Sequence, residues 1–281
     1  MIERVNLTVG KTGLVSLLIG GLILLGTVSV GHTQGLNFAS GDSDVPIEVF
    51  ADDGIEWQQE KLTFLARGNA RAVRGEVTVF ADELQAFYRK LAKGGTEIWR
   101  LDAIGNVRIE TPGEKAYGDH GVYDVDNAIL VLSGGKVRLV TDTDVITATE
   151  QLEYWERKKM AVARGDASAV SDGKQLNADV LVAYFTKNNA GKTAVHRIEA
   201  FDNVRIDSGA EQATSNRAVY TVKNGMVTLS EAVKLTRDGN VLDGCRAQVN
   251  LNSGVSKLFG CAGQGGGQVG GVFRSGPAKS K

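Results

Sequence analysis

Few side chains in this chain could do chemistry, and their spacing argues against most of it. The histidines are His32, His120 and His196. His32 stands beside an N-terminal apolar run, and the other two fall at different positions of an internal repeat, opposite Arg217 and Trp99. Metal binding or acid–base catalysis needs His, Cys or carboxylates converging on one point, and these positions do not converge. No serine sits in a G-x-S-x-G turn. Asp142 and Asp144 are close, but the aligned "TRDGN" at 236–240 keeps one acid, and turn aspartates ordinarily satisfy their own backbone. "GQGGGQ" at 263–268 resembles a phosphate loop without the strand–turn–helix that such a loop requires. The reading is therefore non-enzymatic, with no catalytic residue, no metal ligand and no cofactor.

Two cysteines remain, Cys245 and Cys261. A hairpin centred on Ser253 would pair 249 with 257 and 247 with 259, leaving 245 facing 261. In an oxidising compartment that reads as a disulfide, contributing ~3 kcal/mol for a loop of about 15 residues. The competing reading is two unpaired, small apolar residues.

The elements that carry these residues are set by a duplication. Ala51 to Ser133 returns from Ala148 to Ser230 without a gap, at a constant offset of 97 (148 − 51), with 30 of 83 positions identical. "ARGNARAV" at 66–73 returns as "ARGDASAV" at 163–170, and "NVRI" at 106–109 returns unchanged at 203–206. "ADELQA" at 81–86 returns as "ADVLVA" at 178–183, so Asp82 and Asp179 are repeated, which points to a structural duty at a strand start. A fixed period of this kind decides the architecture.

Within each copy, apolar residues alternate with polar ones at the period of a strand. Val107 and Ile109 bracket Arg108, Val137 and Leu139 bracket Arg138, and Val204 and Ile206 bracket Arg205. Gly94-Gly95, Thr111-Pro112-Gly113, Ser133-Gly134-Gly135 and Lys223-Asn224-Gly225 punctuate the runs as turns. No helical periodicity follows residue 40. At roughly 5–6 residues per strand, each copy holds roughly nine or ten strands, and the chain is all-β. One apolar face per strand requires two sheets meeting across an apolar interior. The outermost strands are then open edges.

The resulting division is 1–35 a signal peptide or membrane anchor, 44–144 and 145–241 the two units, 242–261 a closing hairpin, and 262–281 a disordered Gly-rich tail. Arg4 and Lys11 before an apolar run from Leu14 to Val30 give the layout of a secretory signal; the same run is at the lower limit for a membrane span. Either reading puts the repeats outside the cytoplasm. A formal charge of −1 with 23% charged residues gives no argument for a nucleic-acid partner, and none is expected. The apolar interior is formed by Leu62, Phe64, Val77, Val79, Val107, Ile109, Val137, Leu139, Val204 and Ile206. It is either a solid core or a slot wide enough for acyl chains, and periodicity does not separate the two.

Taken in order, "PIEVFADDGIEW" at 46–57, "LTFLARGNARAVRGEVTVFADELQAFY" at 62–88, "LDAIGNVRIETPGEKAYGDHGVYD" at 101–124 and "AILVLSGGKVRL" at 128–139 resemble the OstA-like family of periplasmic lipopolysaccharide-transport proteins, LptA among them. Weaker forms of the same elements recur in the second copy. The resemblance implies an elongated, twisted β-jellyroll whose two sheets hold the acyl chains of lipid A. It also implies edge-strand pairing with β-jellyroll domains of inner-membrane and outer-membrane transport components, or head-to-tail pairing with further copies. An LptC-like anchored relay is the alternative if the N-terminal run is retained, and a ligand-free structural β-repeat is another. A typical LptA is close to the first unit plus a little more, so the second unit is expected to do in one chain what a second protomer does elsewhere.

Overall fold

The computed structural model describes residues 46–187, 193–209, 211–253, 255–261 and 269–272. The first repeat holds β1 (Glu48–Phe50), β2 (Ile55–Gln58), β3 (Thr63–Arg74), β4 (Val77–Lys90), β5 (Thr96–Thr111), β6 (Glu114–Asp124), β7 (Ile129–Ser133), β8 (Val137–Thr141) and β9 (Asp144–Ala148). The second continues with β10 (Gln151–Trp155), β11 (Met160–Ser171), β12 (Lys174–Lys187), β13 (Thr193–Asp207), β14 (Glu211–Thr221), β15 (Met226–Arg237), β16 (Asn240–Asn250), β17 (Val255–Phe259) and β18 (Gly270–Val272). All pairings among them are antiparallel.

Several strands are longer than the expected length of roughly 5–6 residues, reaching 11–16, because some of the turn signals bend a strand without ending it. Pairing of β3 with β4 slips between Arg67 and Ala70, and pairing of β4 with β5 slips between Phe80 and Glu83. Corresponding slips run through β11 to β16. Each slip is a β-bulge, which bends the strand and sharpens its twist. The residues there hold left-handed backbone: Gly68 at φ +77°, Asn106 at +48°, Asp166 at +40° and Asn203 at +50°. Only Gly, Asn and Asp adopt that region readily, which explains the recurrence of Gly-Asn, Gly-Asp and Asp-Asn in mid-strand. At Gly68 a β-carbon would collide with the Asp53 carboxylate, so glycine is required twice over.

Stacked side by side, the bulges form one corner line along the molecule. It divides every long strand between two sheets. Ten long strands cross both sheets, and each sheet adds four short ones: β2, β7, β10 and β17 on one side, β1, β8, β9 and β18 on the other. Fourteen segments at ~4.8 Å spacing give sheets roughly 60 Å long.

The duplication is visible strand by strand. β3 to β6 start at Thr63, Val77, Thr96 and Glu114, and β11 to β14 start 97 residues later in each case. β7 and β8 are separate where β15 is continuous. Gly134 and Gly135 break the chain in the first repeat, whereas Glu231 and Ala232 only bulge it in the second.

At the C-terminal end β16 and β17 form the expected hairpin with a different register. Val249 faces Ser256 and Ala247 faces Leu258, one residue away from the symmetric pairing about Ser253. Cys245 sits at the corner of β16, and it is disulfide-bonded to Cys261 just beyond β17. The chain then reaches the other sheet, where β18 pairs with Val241–Asp243 of β16. Part of the tail expected to be disordered is therefore a strand at Gly270–Val272, since β16 offers it an open edge. The remaining tail and the N-terminal segment at 1–35 lie outside the described residues. Among the described residues no helix is long and apolar enough to cross a membrane.

Candidate functional site

Register fixes which side chains face the interior. Directly paired residues in an antiparallel sheet share a face. In one sheet the row Phe64, Ala86, Leu101, Tyr123, Leu130, Tyr154 faces inward. In the other sheet Val79, Ile109, Ala116, Leu139 and Ile146 do so. Both rows contribute to a single apolar cluster spanning both repeats.

Exposure in this interior is graded. Beside the corner, Val107, Val137, Val204 and Val233 have relative exposures of 0–2%. One step further out, Leu139, Ile206 and Leu235 are only partly buried, while Ile109 and Ala116, on the same row as Leu139, stay at 1% exposure. Val79 and Val77 make the same progression outward from Ala81. The interior is thus a wedge: solidly packed at the apex, with apolar walls that meet solvent towards the mouth. Small residues set the apex angle, since Ala103, Ala163, Ala200, Ala218 and Ala247 line the corner of one sheet and are all buried.

The ten inward residues expected from sequence divide three ways on this geometry. Val107, Ile109, Val137 and Val204 form the packed floor. Val77, Val79, Leu139 and Ile206 line the walls. Leu62 departs from the expectation: it lies in the turn before β3 at φ +54°, outside the apolar cluster. Its carbonyl accepts the Tyr88 N–H at 3.0 Å, so the turn's geometry overrides strand alternation there. Phe64 does face inward, but it lies at the open N-terminal end and is 37% exposed. There it stacks on Trp57 (centroids 5.3 Å) and packs at a tilt against Tyr88 (5.2 Å), while the Trp57 Nε1–H donates to the Tyr88 hydroxyl at 2.7 Å.

Polar groups in the wedge escaped the sequence reading. Glu114 shares the inner face of β6 with Ala116 and is 5% exposed. Among the described residues it has no hydrogen-bonded or salt-bridged partner, and burial alone pushes its carboxyl up to about 7. Tyr123 is also buried, and its hydroxyl donates to Glu156 at 3.1 Å. Burial raises Tyr154, with Glu156 and Glu114 adding to the shift. The signal was present: Glu114 and Glu211 are an identical pair across the repeats, in phase with apolar neighbours.

The repeated aspartates brace the corner. The Asn106 Nδ2–H donates to Asp82 at 2.9 Å, and Asn203 donates to Asp179 at 2.9 Å. His120 and His196 stand apart, on β6 and β13. Asp142 and Asp144 flank the tight turn between β8 and β9, where Thr141 and Thr143 hydrogen-bond Asp144. Among the described residues no group of three or more His, Cys, Asp and Glu could hold a metal ion.

The two copies that build these paired sheets are each matched by one family model. The model for the LptA/(LptD N-terminal domain) LPS transport protein matches residues 48–150 and again 146–255. The chain belongs to this family. An uncharacterized protein of Rhizobium meliloti (strain 1021) is 25% identical over 133 residues, covering 46% of this chain and 72% of that protein. Among solved structures, LptH, described as the LptA homologous periplasmic component of the lipopolysaccharide transport device of Pseudomonas aeruginosa, aligns over 83% of this chain and 99% of its own. The identity is 12% and the TM-score 0.21. The double match of the LptA/LptD family model falls on the two halves of the duplication.

Proposed function

We propose that this member of the LptA/LptD family is a non-enzymatic, periplasmic bridge protein that binds lipopolysaccharide and carries it between the inner and outer membranes. Lipid A acyl chains would lie along the wedge, against the wall residues Val77, Val79, Leu139 and Ile206. The observation that carries this reading is the exposure gradient. Leu139, Ile206 and Leu235 stay partly open although they pack on the same cluster as the sealed Val107, Ile109 and Val137, which offers an apolar ligand a wall to lie against. Burying them beneath acyl chains would contribute about 25 cal/mol per Å².

The sheet ends support the bridging part. β1 and β2 each pair only with β3 among the described residues, leaving main-chain edges free for strand addition. Val49, Phe50, Ile55 and Trp57 are exposed on them. β-Jellyroll domains of the inner- and outer-membrane components, or another copy head to tail, would add strands there. In this reading the second repeat replaces a second protomer by lengthening the wedge.

Purified lipopolysaccharide should bind the full chain and compete with a fluorescent acyl-chain probe. Ile206→Asp, with circular dichroism matching wild type, should abolish the competition. Unchanged competition by a folded Ile206→Asp protein would remove the wedge from the account.

A further inference from the structure

We propose that the outer side of the corner in the first repeat is a second binding site, taking an acidic saccharide. The proposal rests on the transport reading only in identifying that saccharide as the phosphorylated core of the same glycolipid. A groove of about 460 Å³ lies there, on the opposite side of the sheets from the apolar wedge. Its rim is one cross-strand row, Phe80, Arg108 and Tyr117, which face one another directly in the register of β4, β5 and β6. Its other margin is the corner itself, with Asp82, Asn106 and Asp119, and Lys136 closes one end.

The side chains suit a polyhydroxylated anion. The Arg108 guanidinium rests on the Phe80 ring at 4.1 Å, and that of Arg138, next along the row, rests on Tyr117 at 4.8 Å. A ring under a guanidinium holds it in place while leaving its N–H edge free to donate in plane. The Arg108 Nε is buried and ion-paired with Glu110 at 3.5 Å, so the terminal N–H groups of its 41%-exposed side chain are the ones open to a ligand. Arg108 and Lys136 therefore supply charge-assisted donors for a phosphate or carboxylate. Asp82 and Asp119 would repel a bare anion, but Asp82 already accepts from Asn106 at 2.9 Å. Carboxylates and amides lining one margin are acceptors and donors for vicinal hydroxyls. Charge at one end and hydrogen-bonding oxygens along the other match an acidic sugar better than free phosphate.

The second repeat is the internal control. It keeps the corner brace as Asp179 and Asn203, and it keeps Arg205 where Arg108 stands. It lacks the guanidinium rests: Phe80 and Tyr117 correspond to Asn177 and Thr214, and Lys136 corresponds to Ala232. The fold accommodates those residues, so it does not require the aromatic rings.

The test is calorimetric titration of the full chain with lipid-free core oligosaccharide released from lipopolysaccharide by mild acid, beside neutral dextran and isolated lipid A. Wild type should bind the core oligosaccharide and not dextran. The double variant F80N/Y117T, which installs the second repeat's own residues, should weaken that binding at least about 5-fold and leave lipid A binding unchanged. Lys136→Ala gives an independent reading if the double variant folds poorly, and should also weaken binding. No heat with wild type, or equal affinity in a folded F80N/Y117T and in K136A, would overturn the site. Lipid A is read in a separate titration, so loss of the wedge reading and loss of the groove are told apart.

Discussion

Asp82–Asn106 in the first repeat and Asp179–Asn203 in the second are the same brace at the same corner, yet Glu114 and Glu211, also 97 residues apart, sit in different surroundings. Glu211 is paired with Arg237 at 2.7 Å. Glu114 faces Thr141 at the position where Arg237 stands in the second repeat, and among the described residues no cation takes up its charge. Duplication preserved what bends the strands and let the inward lining change. Corner residues are constrained by backbone conformation, while a lining residue answers only to the neighbours and ligand it meets.

The most damaging test of that contrast is a matched pair of truncations. Ile109→Ala removes a side chain that is 1% exposed and should cost about 3 kcal/mol in urea unfolding, whereas Ile206→Ala, at the partly open equivalent position, should cost about 1 kcal/mol. Equal losses would mean that the second repeat is as solidly filled as the first. Reducing Cys245–Cys261, separated by 16 residues, should cost a comparable ~3 kcal/mol. Hydrogen exchange should locate that loss in β16, β17 and β18 and leave β3 to β6 protected.

Glu114 supplies a pH test. Its folded pKa of about 7 lies above the ordinary 4.5, so between those values the folded protein retains a proton that the unfolded chain has released. Stability should therefore fall as pH rises from about 4.5 to about 7, then level off. Glu114→Gln should remove that fall and stabilise the protein at pH 8 by on the order of 2 kcal/mol. Glu211→Gln should instead cost about 1 kcal/mol by leaving Arg237 without its carboxylate. A flat wild-type profile across pH 4.5–7 would contradict the burial argument. The smallest effect tests sameness: Asn106→Ala and Asn203→Ala should each cost about 1–2 kcal/mol, within error of each other, through the lost hydrogen bond and left-handed backbone.

Much of this architecture was legible before any coordinates. The 97-residue offset fixed the strand correspondence, and alternation around Arg108, Arg138 and Arg205 placed Val107, Ile109, Val137, Leu139, Val204 and Ile206 on the inner face. Bulges were not legible as such, because Gly-Asn in mid-strand carries the same residue types as a hairpin turn. The expected strand length of roughly 5–6 residues falls short of β3 to β6 and β11 to β16 for that reason. Leu62 was misplaced because its left-handed backbone depends on the turn leading into β3. The identity of Glu114 and Glu211 across the repeats marks an acid in phase with apolar residues, but not that only Glu211 has a cation opposite it. The groove outside the corner depends on the cross-strand register of three strands, pairing Phe80 with Arg108 and Arg108 with Tyr117, which single-strand patterns do not encode.

Site-specific photocrosslinking to lipopolysaccharide, scanned across the sheet from Val107 through Leu139 and Ile206 to the outward Thr214 of the second repeat, is the most direct test of the wedge. Lipid adducts should form at Leu139 and Ile206, with none at the sealed Val107 or at Thr214. Adducts confined to Thr214, or absent from Leu139 and Ile206 in a folded protein, would contradict lipid carriage between the sheets.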